Sequence, residues 1–294
     1  MLLVTQNSAF DGINLDVNRT ENKAQAAHRQ VSTGRRVNQA KDDPIASARG
    51  TLNGANLASL SAMDRVSRVA ESQLQTAEGV LSECADQMSK ILELAVASSS
   101  SSLSADNRLA IGEEASVIHE FLLNAANAQQ AGGYLFAGLA NVAPFDGDGT
   151  YAGNGGTRQV PVAFGLNVAV NLPGDQVFNR ADGRNLLGDL KEFVVALQSN
   201  DQLGCQKAIE TSQRGLEQLT SARSTLSASL IKVREAEQKR GGDTLLLRKE
   251  RADVIEVDQA GALVEMSRMN TALDTALSAA ARVIQQMRSN PLVR

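Results

Sequence analysis

From Leu60 onward, the positions Leu60, Met63, Ser67, Ala70, Leu74, Ala77, Leu81, Cys84, Met88, Ile91 and Ala95 alternate three and four residues apart. Ser67 is the one polar member, counting Ala and Cys as apolar. A seam sustained over about five heptads turns one stripe of a long helix toward a partner helix along its whole length. The serine run Ser98 to Ser102 ends the pattern, and Ser104 with Asp106 reads as the cap of a second helix. That helix carries Ile111, Ala115, Ile118, Leu122 and Ala125 on its seam, with Gly132-Gly133 as the predicted stop. Leu216, Leu219, Leu226, Leu230 and Val233 form a later seam, interrupted by Arg223 and predicted to break at Gly241-Gly242. A last helix carries Ala262, Met266, Met269, Leu273, Ala276, Ala280, Val283 and Met287 with no polar intruder.

The middle of the chain obeys a different period. Six of the nine aromatics lie between residues 134 and 178, as do Pro144, Pro161 and Pro173. Val160, Val162 and Phe164 share one face at period two, and Val168, Val170 and Leu172 repeat the arrangement. Gly165-Leu166-Asn167 between them predicts a β-hairpin with a short loop. The expected fold is α+β and mainly α, a long coiled-coil-like helical bundle built from both chain termini. Residues 1–133 and 185–294 make the bundle, and residues 134–184 form an inserted β-rich domain with its own core. Isolated helices gain little from propensity, and a buried Leu or Met contributes about 1.5–3 kcal/mol only when a partner lies alongside. Seams at both ends of the chain therefore predict terminal helices that are mobile in a free monomer and order on packing.

Constellations for chemistry are not legible. Asp42-Asp43 has no His or Glu within ten residues, and Asp-Asp-Pro before a helix start is explained by capping. Asp146-Gly-Asp148-Gly-Thr150 opens like a calcium loop, but Tyr151 and Thr157 stand where Gly and Glu are needed, so a turn is expected. His28 and His119 lack spaced partners, and Cys84 with Cys205 makes neither a disulfide framework nor a zinc site. No enzyme, cofactor or metal is expected. A net charge of −4 gives no footprint for nucleic acid, and no apolar run is long enough to insert in a membrane. The opening MLLVTQNSAF lacks the features of a secretory signal, so export would use another route. Arg240 to Arg251, RGGDTLLLRKER, reads as a solvated loop or as a partner-docking segment.

The stretch QVSTGRRVNQAKDDPIASARG resembles the N-terminal signature of the flagellin family. The succession AGGYLFAG, APF, GTYAGNGGTRQVPVAFG and PGDQVF is similar to the hook-associated junction proteins within that family. The tail SARSTLSASL and EVDQAGALVEMSRMNTALDTALSAAARVIQQM fits the same group. The resemblance implies a secreted, extracellular structural protein of the bacterial flagellum. It implies a ring of identical subunits between a hook-side hook-associated protein and flagellin. Type III export with a cytoplasmic chaperone on the Ala262 to Met287 face is also implied.

On that resemblance Ser32 to Pro44 is a turn and helix entry in the zone where subunits stack. Gly34 permits the bend, Asp42 and Asp43 cap or pair, Pro44 starts the helix, and Arg35 and Arg36 are candidates for ion pairs between subunits. A flagellin filament subunit is the alternative within the family. A secreted coiled-coil effector or adhesin with a ligand-binding β module is the alternative outside it.

Overall fold

The computed structural model describes residues 2–130, 132–179 and 185–289, with side chains from residue 10 to residue 286 among them. Helices α1 (Leu2–Thr33), α2 (Pro44–Ser98) and α3 (Ala105–Ala126) come first. Short strands β1 (Gln129–Gln130) and β2 (Gly133–Tyr134) precede the hairpin β3 (Gln159–Ala163) and β4 (Leu166–Ala169). Helices α4 (Gly174–Val177), α5 (Leu186–Gln198), α6 (Gln202–Ile255) and α7 (Gln259–Ser289) complete the order. The chain divides into two compact units, Met1–Ser59 with Asp243–Arg294, and Leu60–Gly242. This division differs from the expected bounds at residues 133 and 184.

The unit Leu60–Gly242 explains the difference. Every seam position of α2 from Leu60 to Ala95 is buried except Met63, which is half-buried. From Ala70 to Ala95 these side chains share one continuous core with Val160, Val162, Val168 and Val170 of the hairpin and with Phe136, Phe145 and Phe178. Phe178 packs edge-on to both other rings at centroid distances of 5.4 Å. Leu186, Leu187, Leu190, Phe193 and Leu197 of α5 close the core from a further side. The β segment therefore has no core of its own: its two short two-stranded sheets are too small to bury their own faces and use the helices instead.

Local chemistry fixes the corners. Ser104 caps α3, its hydroxyl accepting from the Asn107 amide at 3.2 Å. Buried Arg108 donates from Nε to the Ser98 carbonyl at 3.1 Å and from Nη2 to the Ser100 carbonyl at 2.6 Å, satisfying carbonyls at the end of α2. Its Nη1 donates at 2.6 Å to Oδ1 of Asn200, which turns the chain between α5 and α6 at φ 52°. Asp146 accepts the Asp148 and Thr150 amides at 3.0 and 2.8 Å, so the Asp-Gly-Asp-Gly segment is the expected turn.

Several expectations are corrected. Helix α3 ends at Ala126 with Asn127 as its cap, before Gly132-Gly133. The hairpin turn is Phe164-Gly165 with φ +73° at the glycine, and Ala163 pairs Leu166. An irregularity between Pro161 and Ala163 rotates the strand, so Phe164 is 48% exposed instead of sharing the buried face of Val160 and Val162. Arg223 is the half-buried polar interruption of the α6 seam, as expected, and it donates from Nη2 to Oε1 of Glu78 at 2.8 Å. Gly241 and Gly242, by contrast, do not break α6. Neither adopts a positive φ, and a glycine pair costs only about 2 kcal/mol of propensity, which strong flanking helix formers and the anchored Arg240 override.

Candidate assembly surfaces

In the unit formed by both chain ends, α1 packs along α7. The inward positions of α1 are Ile13, Val17, Thr20, Ala24 and Ala27, again three and four apart. On α7, Ala262 is buried, and Met266, Met269, Leu273, Ala276, Ala280 and Val283 are half-buried. The Met287 side chain lies outside the described residues. Small residues dominate the facing stripe, which brings the helices close: Nε2 of His28 lies 3.0 Å from Oδ1 of Asn270. Sequence reasoning missed the α1 stripe because Thr20 and two alanines dilute its apolar period.

The loop between α1 and α2 is a clasp. Gly34 takes φ +66°, a left-handed bend that glycine adopts without steric cost. Beyond it the Arg36 and Val37 amides donate to the Ile255 carbonyl at 2.7 and 3.3 Å, and the Val257 amide donates to the Gly34 carbonyl at 3.1 Å. The antiparallel bridge of Arg35 with Glu256 lies between these bonds. Val37, Ala46 and Ile255 form a small buried cluster beneath. Gly50 gives the Ile255 side chain room, since a Cβ there would approach its Cδ1 to 2.5 Å and displace it. Thus the α1–α2 corner is fastened to the α6–α7 corner.

The charged residues of this stretch divide in role. Asp43 caps α2, accepting the Ala46 amide on Oδ1 at 2.9 Å, and Asp42 accepts the Asn38 and Gln39 amides at 3.0 and 2.8 Å. The Gln39 amide above all holds the Asp42 carboxyl below its usual range, and the Ala46 amide does the same for Asp43. Pro44 is the first helical residue, as expected. Arg36 is occupied within the chain: Nη2 donates to the Val254 carbonyl at 2.9 Å, and Nη1 pairs with Asp43 at 3.2 Å. Arg35 is exposed, with no side-chain ion pair among the described residues. Asp258 caps α7 through the Ala260 and Gly261 amides. That break was not foreseen, although an Asp ahead of an apolar period signals it.

Around this paired seam, large apolar side chains remain uncovered. Phe10 and Leu15 of α1, Ile45 and Leu52 of α2, Leu245 and Leu246 of α6, and Leu263, Val264, Leu277 and Ile284 of α7 are all exposed. A closed helical unit would not present so many on so few helices. The arrangement can bind further apolar helices. Among the described residues, no group of three His, Cys, Asp or Glu side chains is placed to hold a metal.

Residues 4–141 match the bacterial flagellin N-terminal helical region. Flagellar hook-associated protein 3 of Escherichia coli (strain K12) is 24% identical over 275 residues, covering 85% of this chain and 87% of that protein. The Salmonella typhimurium protein of the same name is 30% identical over 154 residues, 51% of this chain and 48% of its own length. The flagellar junction protein of Legionella pneumophila superposes with a TM-score of 0.60 at 17% identity, over 71% of this chain and all of that structure. That last likeness is one of fold.

Proposed function

We propose, for a chain that carries a flagellin N-terminal helical region and is homologous to flagellar hook-associated protein 3, that it is a structural component of the bacterial flagellum at the junction of hook and filament. The single observation that carries the reading is the uncovered apolar surface of the unit formed by both chain ends. Its α1–α7 pair uses one stripe of each helix and leaves Leu263, Leu277 and Ile284 in solvent. Such a surface is completed by neighbouring helices, and burying each Leu or Ile contributes about 1.5–3 kcal/mol. Neighbouring copies, a hook-side hook-associated protein and flagellin are the partners that would supply them.

Until assembly the same surface needs a cover. A cytoplasmic chaperone over the α7 face from Ala262 to Met287, followed by type III export to the cell exterior, would meet that need. The protein acts through packing and register and converts no substrate. Immunogold labelling of intact flagella tests the role. Label confined to the hook–filament boundary supports it, label along the filament indicates a filament subunit, and unlabelled flagella overturn both.

A further inference from the structure

We propose that the outer face of α3 in one copy of this chain docks on the basic turn of α6 around Leu245 in a second copy. The inference rests on the self-assembling reading above and names the surfaces that meet. Helix α3 buries Arg108, Ala115, Ile118 and Leu122 on one side. Its opposite side carries Leu109, Val117 and Phe121, the last two four residues apart, and Val117 is 68% exposed. Glu113, Glu114 and Glu120 interleave with them, all exposed and without an ion pair among the described residues. The face has no compensating cation, because Arg108 is the helix's one Lys or Arg and is buried. Leu109 to Phe121 spans about 18 Å, three turns of apolar anchors edged with negative charge.

The complementary pattern lies in the segment RGGDTLLLRKER. Leu245 and Leu246 are 69% and 56% exposed. Arg248 and Lys249 follow Leu245 at the separations that share a helix face, and neither they nor Arg251 forms an ion pair among the described residues. Glu250 and Asp253 lie on the flank of Leu246 and leave the Leu245 face positive. An α3 face cannot pair with another α3 face without opposing carboxylates. The contact is therefore heterologous, using different patches on the two copies, and contacts of that kind build rings or helical rows. The apolar anchors supply adhesion, and the opposite charges set register and exclude the like-charged pairing.

The test uses the full chain incorporated into flagella, with a photoactivatable phenylalanine analogue at Val117 and mass spectrometry of the cross-linked peptides. The expected product joins α3 to residues 245–252 of a second copy. Glu113→Lys with Glu120→Lys should lower its yield about tenfold, as should Arg248→Glu with Lys249→Glu, and combining the four should restore it. Cross-links from Val117 to other segments or other proteins overturn the inference, as does an incorporated chain that gives no cross-link. A chain absent from the flagellum overturns the functional reading itself, and the inference with it.

Discussion

Arg240 of α6 donates from Nη1 to the Ser67 hydroxyl of α2 at 3.0 Å. The polar member of the first seam thus meets a buried cation one heptad beyond Val233, on the continuation of another seam. The same Nη1 donates to the Val162 carbonyl of the hairpin, and Nη2 reaches Oδ1 of Asp64 at 3.3 Å. One guanidinium, 3% exposed, fastens two helices and a strand. Arg240→Ala should destabilise the chain by about 3 kcal/mol in urea unfolding, since it leaves buried acceptors unpaired. Asp64→Asn should cost less, because Ser67 and Val162 still hold the guanidinium. Equal effects would contradict this division of roles.

Gly138 has φ +71°, and a Cβ there would fall 1.9 Å from the Asn154 carbonyl oxygen. Gly165 has a similar φ of +73° with no neighbour within 4 Å of the added atom. Gly165→Ala should cost about 1 kcal/mol, the conformational penalty alone. Gly138→Ala should cost well beyond that, because backbone must move. Chemical denaturation of both variants checks the ordering.

Leu273 and Leu277 lie one turn apart on α7, yet Leu273 is half-buried on the stripe toward α1 and Leu277 is exposed. Leu277→Glu should leave the thermal unfolding of the monomer unchanged and abolish incorporation into flagella. Leu273→Glu should also abolish incorporation while leaving the β segment folded, and should additionally make α1 and α7 sensitive to limited proteolysis. Normal incorporation of the Leu277 variant would show that the exposed α7 face has no neighbour.

The clasp should answer to acid. Carboxyls held below the ordinary value of 3.8, as in Asp42 and Asp43, add stability that is present above that value and is lost as pH falls through the lowered one. Protection of the Asn38, Gln39 and Ala46 amides, taken relative to the free-chain exchange rate at each pH, should hold near neutrality and fall only below about pH 3.8. With Asp43→Asn, Ala46 should lose that acid dependence, while Asn38 and Gln39 keep theirs.

Long periods were legible and local exceptions were not. The α2 seam from Leu60 to Ala95 was read position by position, because repeated burial at one face leaves a strong periodic trace. The Ser104 cap and the Asp146 turn were legible because a short side chain acts on amides within four residues. The Phe164 expectation failed since a single irregularity in a strand reverses which face a residue takes. Gly241-Gly242 misled because propensity says little about a helix anchored elsewhere by Arg240. Arg36 is a candidate for ion pairs between subunits on the family resemblance alone, and its acceptor within the chain, the Val254 carbonyl, is 218 residues away in sequence, beyond what any local pattern encodes.

The pairing of α1 with α7 also bears on when the fold can form. His28 and Asn270 touch across 242 residues of sequence, so α1 waits for α7 to be synthesised. Contacts of such separation form late in folding, because the entropy of closing the loop must be offset before they contribute. A ribosome, or any conduit that delivers the chain from one end, keeps that pair apart until the whole stretch between them has emerged. Delivery and maturation are thereby ordered in time by topology alone.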